Sequence, residues 1–162
     1  MIETALRSYL IAVCTITLLM TVLLGSVRLG LIAMLPNLFP IVVTLGVMGW
    51  LDLPLGMFSL LIGSIALSLA VDDTIHFMHG FRNAYERSGD VAQAVHATLT
   101  TTGQALLFTS IVLSLGFSIY VFSDLNNLTN FGALTAFAIM MAFVADILVA
   151  PALMAWVKGT RG

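Results

Sequence analysis

The chain has 162 residues, of which 60% are hydrophobic and 9% are charged, and its formal net charge is −2. Long uncharged stretches separated by short polar breaks, with a mean hydropathy of +1.08, indicate an integral membrane protein. The few scattered basic residues exclude a nucleic-acid-binding surface, and the single cysteine excludes an internal disulfide.

Two apolar runs open the chain. The first extends from Ser8 to Val27, and its twenty uncharged residues are enough to span a bilayer. A signal peptide is the alternative, because Arg7 precedes the run. The run is longer than a signal h-region, however, and no small-x-small cleavage site closes it. The second run extends from Leu31 to Trp50. Since Pro36 and Pro40 interrupt it, the helix either kinks there or begins at Pro36.

The third apolar run leads into two adjacent acidic residues. The uncharged part extends from Met57 to Val71, which is shorter than the ~20 residues that a spanning helix needs. We therefore predict a span at about 57–80 that includes Asp72 and Asp73. The two carboxyl groups then lie within the membrane.

Two further spans follow a polar stretch. Gly89 is predicted to end one helix and Asp90 to cap the next. Residues 82–101 are interpreted as an interfacial helical segment, followed by spans at about 102–122 and 128–156. The predicted fold is all-α: a single transmembrane domain, a polytopic transmembrane helix bundle of five spanning helices plus the interfacial segment.

The basic residues predict the orientation in the membrane. Five of the six lysines and arginines fall at breaks that would share the cytoplasmic side; they are Arg28, Arg82, Arg87, Lys158 and Arg161. This arrangement puts the C-terminus in the cytoplasm and the N-terminus outside, and only Arg7 disagrees with it. An outside N-terminus without a preceding helix suggests that an upstream segment is missing.

The aspartate pair has the chemistry of a proton site. An ionised aspartate at the bilayer centre costs ~2.5 to 3.5 kcal/mol, so the pair is expected to carry a proton often. Neighbouring positions differ by about 100° around a helix, and the two carboxyls therefore address different surroundings. Because they repel each other, they should titrate as one coupled unit, which suits the transfer of a proton from one side to the other.

Small and polar residues accompany the pair. A row recurs every four residues on the third span: Ser64, Ser68, Asp72, His76 and Gly80. Its small members, Ser64, Ser68 and Gly80, suit close helix packing, and His76 is a candidate for a proton relay. On the fourth span, Thr102 and Thr109 are seven residues apart and nearly in line.

Other interpretations of these residues stay open. The aspartate pair could be structural, satisfied by hydroxyl or backbone groups. His76 and His79 could form a metal site with an aspartate, but no second cluster supports it, so no metal is predicted. Asp146 is a second buried acid on another span, either structural or part of the relay.

Several segments together resemble a known family. They are Pro36–Pro40, Ser68–Phe77, Thr109-Ser110 with Gly116-Phe117, Asn130–Gly132 and Asp146–Leu153. Their order and spacing resemble the resistance-nodulation-division (RND) superfamily. Within it, the match is best to the MMPL-like exporters, which are related to sterol-sensing-domain proteins. The resemblance extends from about Leu6 to Trp156.

The resemblance implies more than this chain contains. Each half of such a transporter has six helices, with a large extracytoplasmic domain after the first. The chain would be a fragment with helices two to six, most similar to the C-terminal half, in a bacterial inner membrane. The partners would be the missing half or other copies, giving an oligomer. The resemblance also implies that Thr102 or Thr109 serves the acidic pair, but the basic partner of drug-efflux members has no equivalent here.

The sequence thus predicts half of a proton-driven exporter of lipids or other hydrophobic molecules. Such a protein is not an enzyme and needs no cofactor besides the proton motive force. The alternative is a sterol-sensing-like module that binds a membrane lipid and regulates a partner. A minor alternative is an intramembrane aspartyl protease using Asp72 and Asp146, although the Gly-x-Gly-Asp context of such enzymes is absent.

Overall fold

The fold is all-α, with helices joined by short turns, in the part of the chain that the computed structural model describes, residues 2–53 and 56–159. The helices are α1 (Ile2–Leu24), α2 (Val27–Trp50), α3 (Met57–Ser88), α4 (Val91–Ser118) and α5 (Asn126–Gly159), with a 3-10 turn at Ile119–Phe122 after α4. The predicted all-α membrane helix bundle is confirmed.

Among the described residues, four stretches are long and apolar enough to cross a membrane by length and composition. They are Gly30–Trp50, Met57–Ser88, Val91–Phe122 and Asn126–Met154. The protein is therefore an integral, multi-pass membrane protein. In α1 the apolar stretch Arg7–Leu23 is shorter, so the predicted first span at 8–27 stays a prediction.

The chain divides into two units, residues 1–35 and residues 36–162. In the first unit, Gly25 has a φ of 62°, a left-handed conformation that suits glycine and ends α1. The hydroxyls of Thr17 and Thr21 donate to the carbonyls of Val13 and Thr17, at 2.7 and 2.8 Å. These bonds satisfy polar groups inside an apolar helix.

Helix α2 is continuous from Val27 to Trp50 and contains both Pro36 and Pro40. The alternative in which this helix begins at Pro36 is therefore wrong. Each proline removes one backbone donor from the helix. One turn later, the buried hydroxyl of Thr44 donates to the Pro40 carbonyl at 2.7 Å.

The boundary between α3 and α4 lies where the sequence predicts it. Gly89 has a φ of 68°, and the Asp90 carboxylate accepts from the backbone amides of Ala92 and Gln93. Residues 82–101 form no separate element, because α3 continues to Ser88 and α4 runs unbroken past Thr101. The interfacial position predicted for these residues stays a prediction.

The second unit packs α3, α4 and α5 around two apolar clusters. One contains the buried side chains of Met48, Ile62, Ala66, Leu134 and Ala138, and the other contains Phe77, Leu106 and Ala150. Along α3, residues 69–76 lie between the positions that contribute to these clusters. That interval carries the acidic pair.

Candidate functional site

A groove of about 520 Å³ opens between α3, α4 and α5, beside the second apolar cluster, whose Leu106 also lines it. It is lined by all five residues predicted for the proton relay: Asp72, Asp73, His76, Thr102 and Thr109. The sequence places these residues on two helices. The packing of α3 against α4 brings them to one cavity.

The acidic side of the groove lies on α3. Asp72 is exposed, and its Oδ1 lies 3.7 Å from Nε2 of His76, one turn further along the helix. Asp73 is half-buried. The two carboxyls thus occupy different environments, as the 100° step between helix neighbours predicts.

The hydroxyl side of the groove lies on α4. Thr102 is half-buried. Thr109 donates to the carbonyls of Ala105 and Leu106, at 3.2 and 3.0 Å. A threonine hydroxyl can also accept a hydrogen bond while it donates one, so these side chains are suited to face a protonated carboxyl.

Two more polar groups line the groove and were not predicted as site residues, namely Thr101 and Ser110. Ser110 is buried, and Thr101 donates to the Ala97 carbonyl at 2.8 Å. The helical period could have predicted these two residues, because positions 101, 102, 109 and 110 fall on one side of a helix with 3.6 residues per turn.

The small residues of the α3 row differ in their surroundings. At Gly80, an added Cβ atom would lie 2.7 Å from Oγ1 of Thr102, so α3 and α4 approach closely there. Ser64 and Ser68 are exposed. They donate to the carbonyls of Leu60 and Ser64 on their own helix, and close packing at these two positions stays a prediction.

Asp146 lies outside the residues that line the groove and is buried. Its Oδ1 is 2.7 Å from Oγ1 of Thr74, and that hydroxyl is 2.8 Å from Oδ1 of Asn37. Thr74 and Asn37 were not predicted as site residues. Both fall in segments that carry the family resemblance, but no sequence pattern predicts that these segments are in contact.

The shared-proton pair that a protease would need is not formed between Asp72 and Asp146. Asp72 faces His76, whereas Asp146 is held by Thr74 and its Oδ2 has no hydrogen-bond partner in the described structure. An aspartyl protease requires two carboxyls in contact. This geometry does not supply them.

Among the described residues, the groove has no lysine or arginine in its lining and no metal-binding cluster. Arg82 lies beyond the groove on α3 and pairs with Glu86, with 2.9 Å between Nε and Oε1. The described residues contain no group of histidine, cysteine and acidic side chains suited to a metal ion.

Comparisons with known proteins identify the family. The family described as Patched SSD matches residues 4–156, which is nearly the whole chain. The chain belongs to the Patched SSD family. This membership agrees with the resemblance to RND exporters and sterol-sensing-domain proteins, and it makes the chain a membrane module of the RND/sterol-sensing type.

One relative is similar to this Patched SSD chain over much of its length. The Methanocaldococcus jannaschii protein MJ1562, which is named as a membrane protein, is 32% identical over 124 residues. The match covers 76% of this chain and 32% of the relative, so the chain spans about a third of that protein's length. No solved structure matches the chain significantly.

Proposed function

We propose that this Patched SSD module is the proton-carrying transmembrane half-domain of an exporter for lipids or other hydrophobic molecules. The observation that supports it is the groove in which α3 and α4 place Asp72, Asp73 and His76 opposite Thr102 and Thr109. Ionisable residues inside a membrane span are costly and mark proton pathways. The module would act in a cytoplasmic membrane, with its C-terminus inside and a second half or further copies as partners.

The mechanism uses the different exposure of the two carboxyls. The exposed Asp72, beside His76, exchanges protons with water at the groove mouth. The half-buried Asp73 holds the proton deeper among the α4 hydroxyls. One bound proton relieves the repulsion between the two carboxylates, so the number of negative charges facing the groove falls from two to one.

The membrane supplies the energy for this cycle. One proton that crosses a potential of 100 mV releases ~2.3 kcal/mol. That amount changes a two-state equilibrium roughly fiftyfold. A groove that is open to one side when ionised and to the other when protonated would use this energy to move a hydrophobic molecule.

Substitution of the pair tests the proposal. The variants are made in cells that carry the gene in its natural genomic setting, so that any partner is present, and the membrane vesicles are prepared from these cells. We expect Asp72→Asn combined with Asp73→Asn to reduce proton-driven efflux of a fluorescent hydrophobic dye to background, in everted membrane vesicles. The control is Asp124→Asn, an exposed aspartate in the turn before α5. Unchanged efflux in the double variant, with the protein present at normal amounts, would contradict the proposal.

A lipid-sensing module is the second candidate, favoured by the family match and by the apolar part of the groove wall. That wall includes Leu69, Leu106, Leu113, Ile139 and Ala142, and sites for small apolar ligands are lined in this way. A photoactivatable sterol or lipid distinguishes the two functions. Sensing would be favoured over export if vesicles show no proton-driven efflux and if the double variant is labelled as strongly as the wild type.

A further inference from the structure

A polar chain crosses the apolar interior of the second unit and joins three helices. Asn37 on α2, Thr74 on α3 and Asp146 on α5 are all buried, with relative exposures of 0%, 0% and 1%. The Thr74 hydroxyl is the middle member, 2.8 Å from Asn37 Oδ1 and 2.7 Å from Asp146 Oδ1. None of the three lines the groove, so the proposed relay leaves them without a role.

If Asp146 is ionised, the hydrogen-bonded series of Asn37, Thr74 and Asp146 has one donor hydrogen too few. A threonine hydroxyl has a single proton to donate, yet both of its neighbours here are oxygen atoms that act as acceptors when Asp146 is ionised. Two arrangements resolve the conflict. Either Asp146 carries a proton and donates it to Thr74, which donates to Asn37, or the Asn37 amide is turned so that its nitrogen donates to Thr74.

The surroundings of Asp146 favour the first arrangement. If Asp146 were ionised, its buried negative charge would be stabilised by one described hydrogen bond, from Thr74. Its other oxygen, Oδ2, has no hydrogen-bond partner in the described structure. A buried carboxylate needs a cation or several donors, and no ion pair to Asp146 is described. A neutral acid leaves only a carbonyl-type oxygen without a donor, which costs far less.

No cation of the neighbouring helices is described in contact with Asp146, because on α3 His76 lies beside Asp72 and Arg82 pairs with Glu86. Asp73 precedes Thr74 on α3 and lies within electrostatic range of Asp146, so a charge on one opposes a charge on the other. On α4, the titratable side chain is His96, which is exposed near the start of the helix. The contact from α2 is the uncharged Asn37.

We propose that Asp146 is a second proton-binding site, a neutral carboxylic acid whose proton completes the hydrogen-bonded chain from α5 through Thr74 to Asn37. The site lies behind the groove rather than in it. Its proton holds the three helices together, and its loss would leave an unpaired charge in the interior. This inference does not depend on whether the module exports or senses a lipid.

Infrared difference spectroscopy of the purified chain in lipid nanodiscs at neutral pH tests the site, because a protonated carboxyl has a C=O stretching band that a carboxylate lacks. We expect Asp146→Asn to abolish one such band. The exposed-site control Asp124→Asn should keep it, and so should Asp72→Asn combined with Asp73→Asn. An acid band unaffected by Asp146→Asn would show that Asp146 is ionised and would overturn the proposal.

Thr74→Val provides a second test that keeps the acid in place. Valine has nearly the shape of threonine but lacks the hydroxyl that accepts from Asp146. We expect the acid band to persist and to shift to higher frequency, since the carboxyl loses its hydrogen-bond partner. If Asp146→Asn does not fold, this shift decides the question, and a band at the wild-type frequency would overturn the proposal.

Discussion

Gly80 on α3 is a point of close contact with α4. An added Cβ atom would lie 2.7 Å from Thr102 Oγ1 and 3.2 Å from Thr98 Cγ2. Because the first distance is below normal contact, we expect Gly80→Ala to destabilise the bundle by about 1–3 kcal/mol. Thermal unfolding in detergent measures this effect.

The matched control is Gly116→Ala on α4. An added Cβ atom there meets nothing within 4 Å, so the better helix propensity of alanine should stabilise the protein by up to about 1 kcal/mol. Equal melting temperatures for the two variants would show that α3 and α4 are not in close contact at Gly80.

Thr102 joins this packing contact to the groove, because its hydroxyl lies against Gly80 and the residue also lines the groove. If it serves the acidic pair, Thr102→Val should slow proton uptake about fivefold, the effect of one lost hydrogen bond of roughly 1 kcal/mol. A pH-sensitive dye inside vesicles from the native membrane measures the rate. Thr100→Val is the control, because Thr100 is exposed and does not line the groove; equal slowing in both variants would count against the relay.

The turn between α3 and α4 is the element whose ends are defined most clearly by local chemistry. The Asp90 carboxylate accepts from the amides of Ala92 and Gln93, at 2.6 and 3.2 Å. Replacing this capping aspartate by alanine removes Oδ1, the one oxygen that accepts both bonds, and we expect Asp90→Ala to cost about 1 kcal/mol. Chemical unfolding followed by circular dichroism measures the loss. Asp90→Ser should restore most of the stability, since serine also caps helices, and failure of this rescue would argue against a capping role.

The sequence predicted this turn because Gly89 and Asp90 act on their nearest neighbours. It predicted no single long α4, because the uncharged stretch from Val91 to Phe122 is longer than one membrane span requires. In the structure, Thr100 and Thr101 donate to carbonyls of the preceding turn. Their hydroxyls are satisfied within the helix, which can therefore continue.

Contacts between helices were harder to predict than the helices themselves. The aspartates and the threonines of the groove could be grouped from helical period and family resemblance. The bonds of Thr74 to Asn37 and Asp146 join residues 37 and 72 positions apart. No local pattern specifies such pairs, because they depend on how three helices pack.

At the scale of the whole molecule, the feature that requires a neighbour is the exposed side of α3 that carries Asp72 and His76, here called the acidic face. The side chains of Asp72 and His76 are 70% and 65% exposed. An aspartate that faced lipid there would cost ~2.5 to 3.5 kcal/mol. The matched region covers only 32% of the relative MJ1562, so that relative has further segments beyond the part that this chain matches.

A cysteine cross-link tests whether protein covers the acidic face. In a Cys14→Ser background, we expect Ser68→Cys, one turn before Asp72 on the same side of α3, to form a disulfide-linked product in native membranes under mild oxidation. The mass of the product distinguishes a second copy from a different chain. Val112→Cys on α4, where the side chain is 66% exposed among other apolar groups, should stay uncross-linked because a lipid-facing position has no protein neighbour. Equal cross-linking at both positions would mean that the contacts are random collisions, which would contradict a defined protein neighbour at the acidic face.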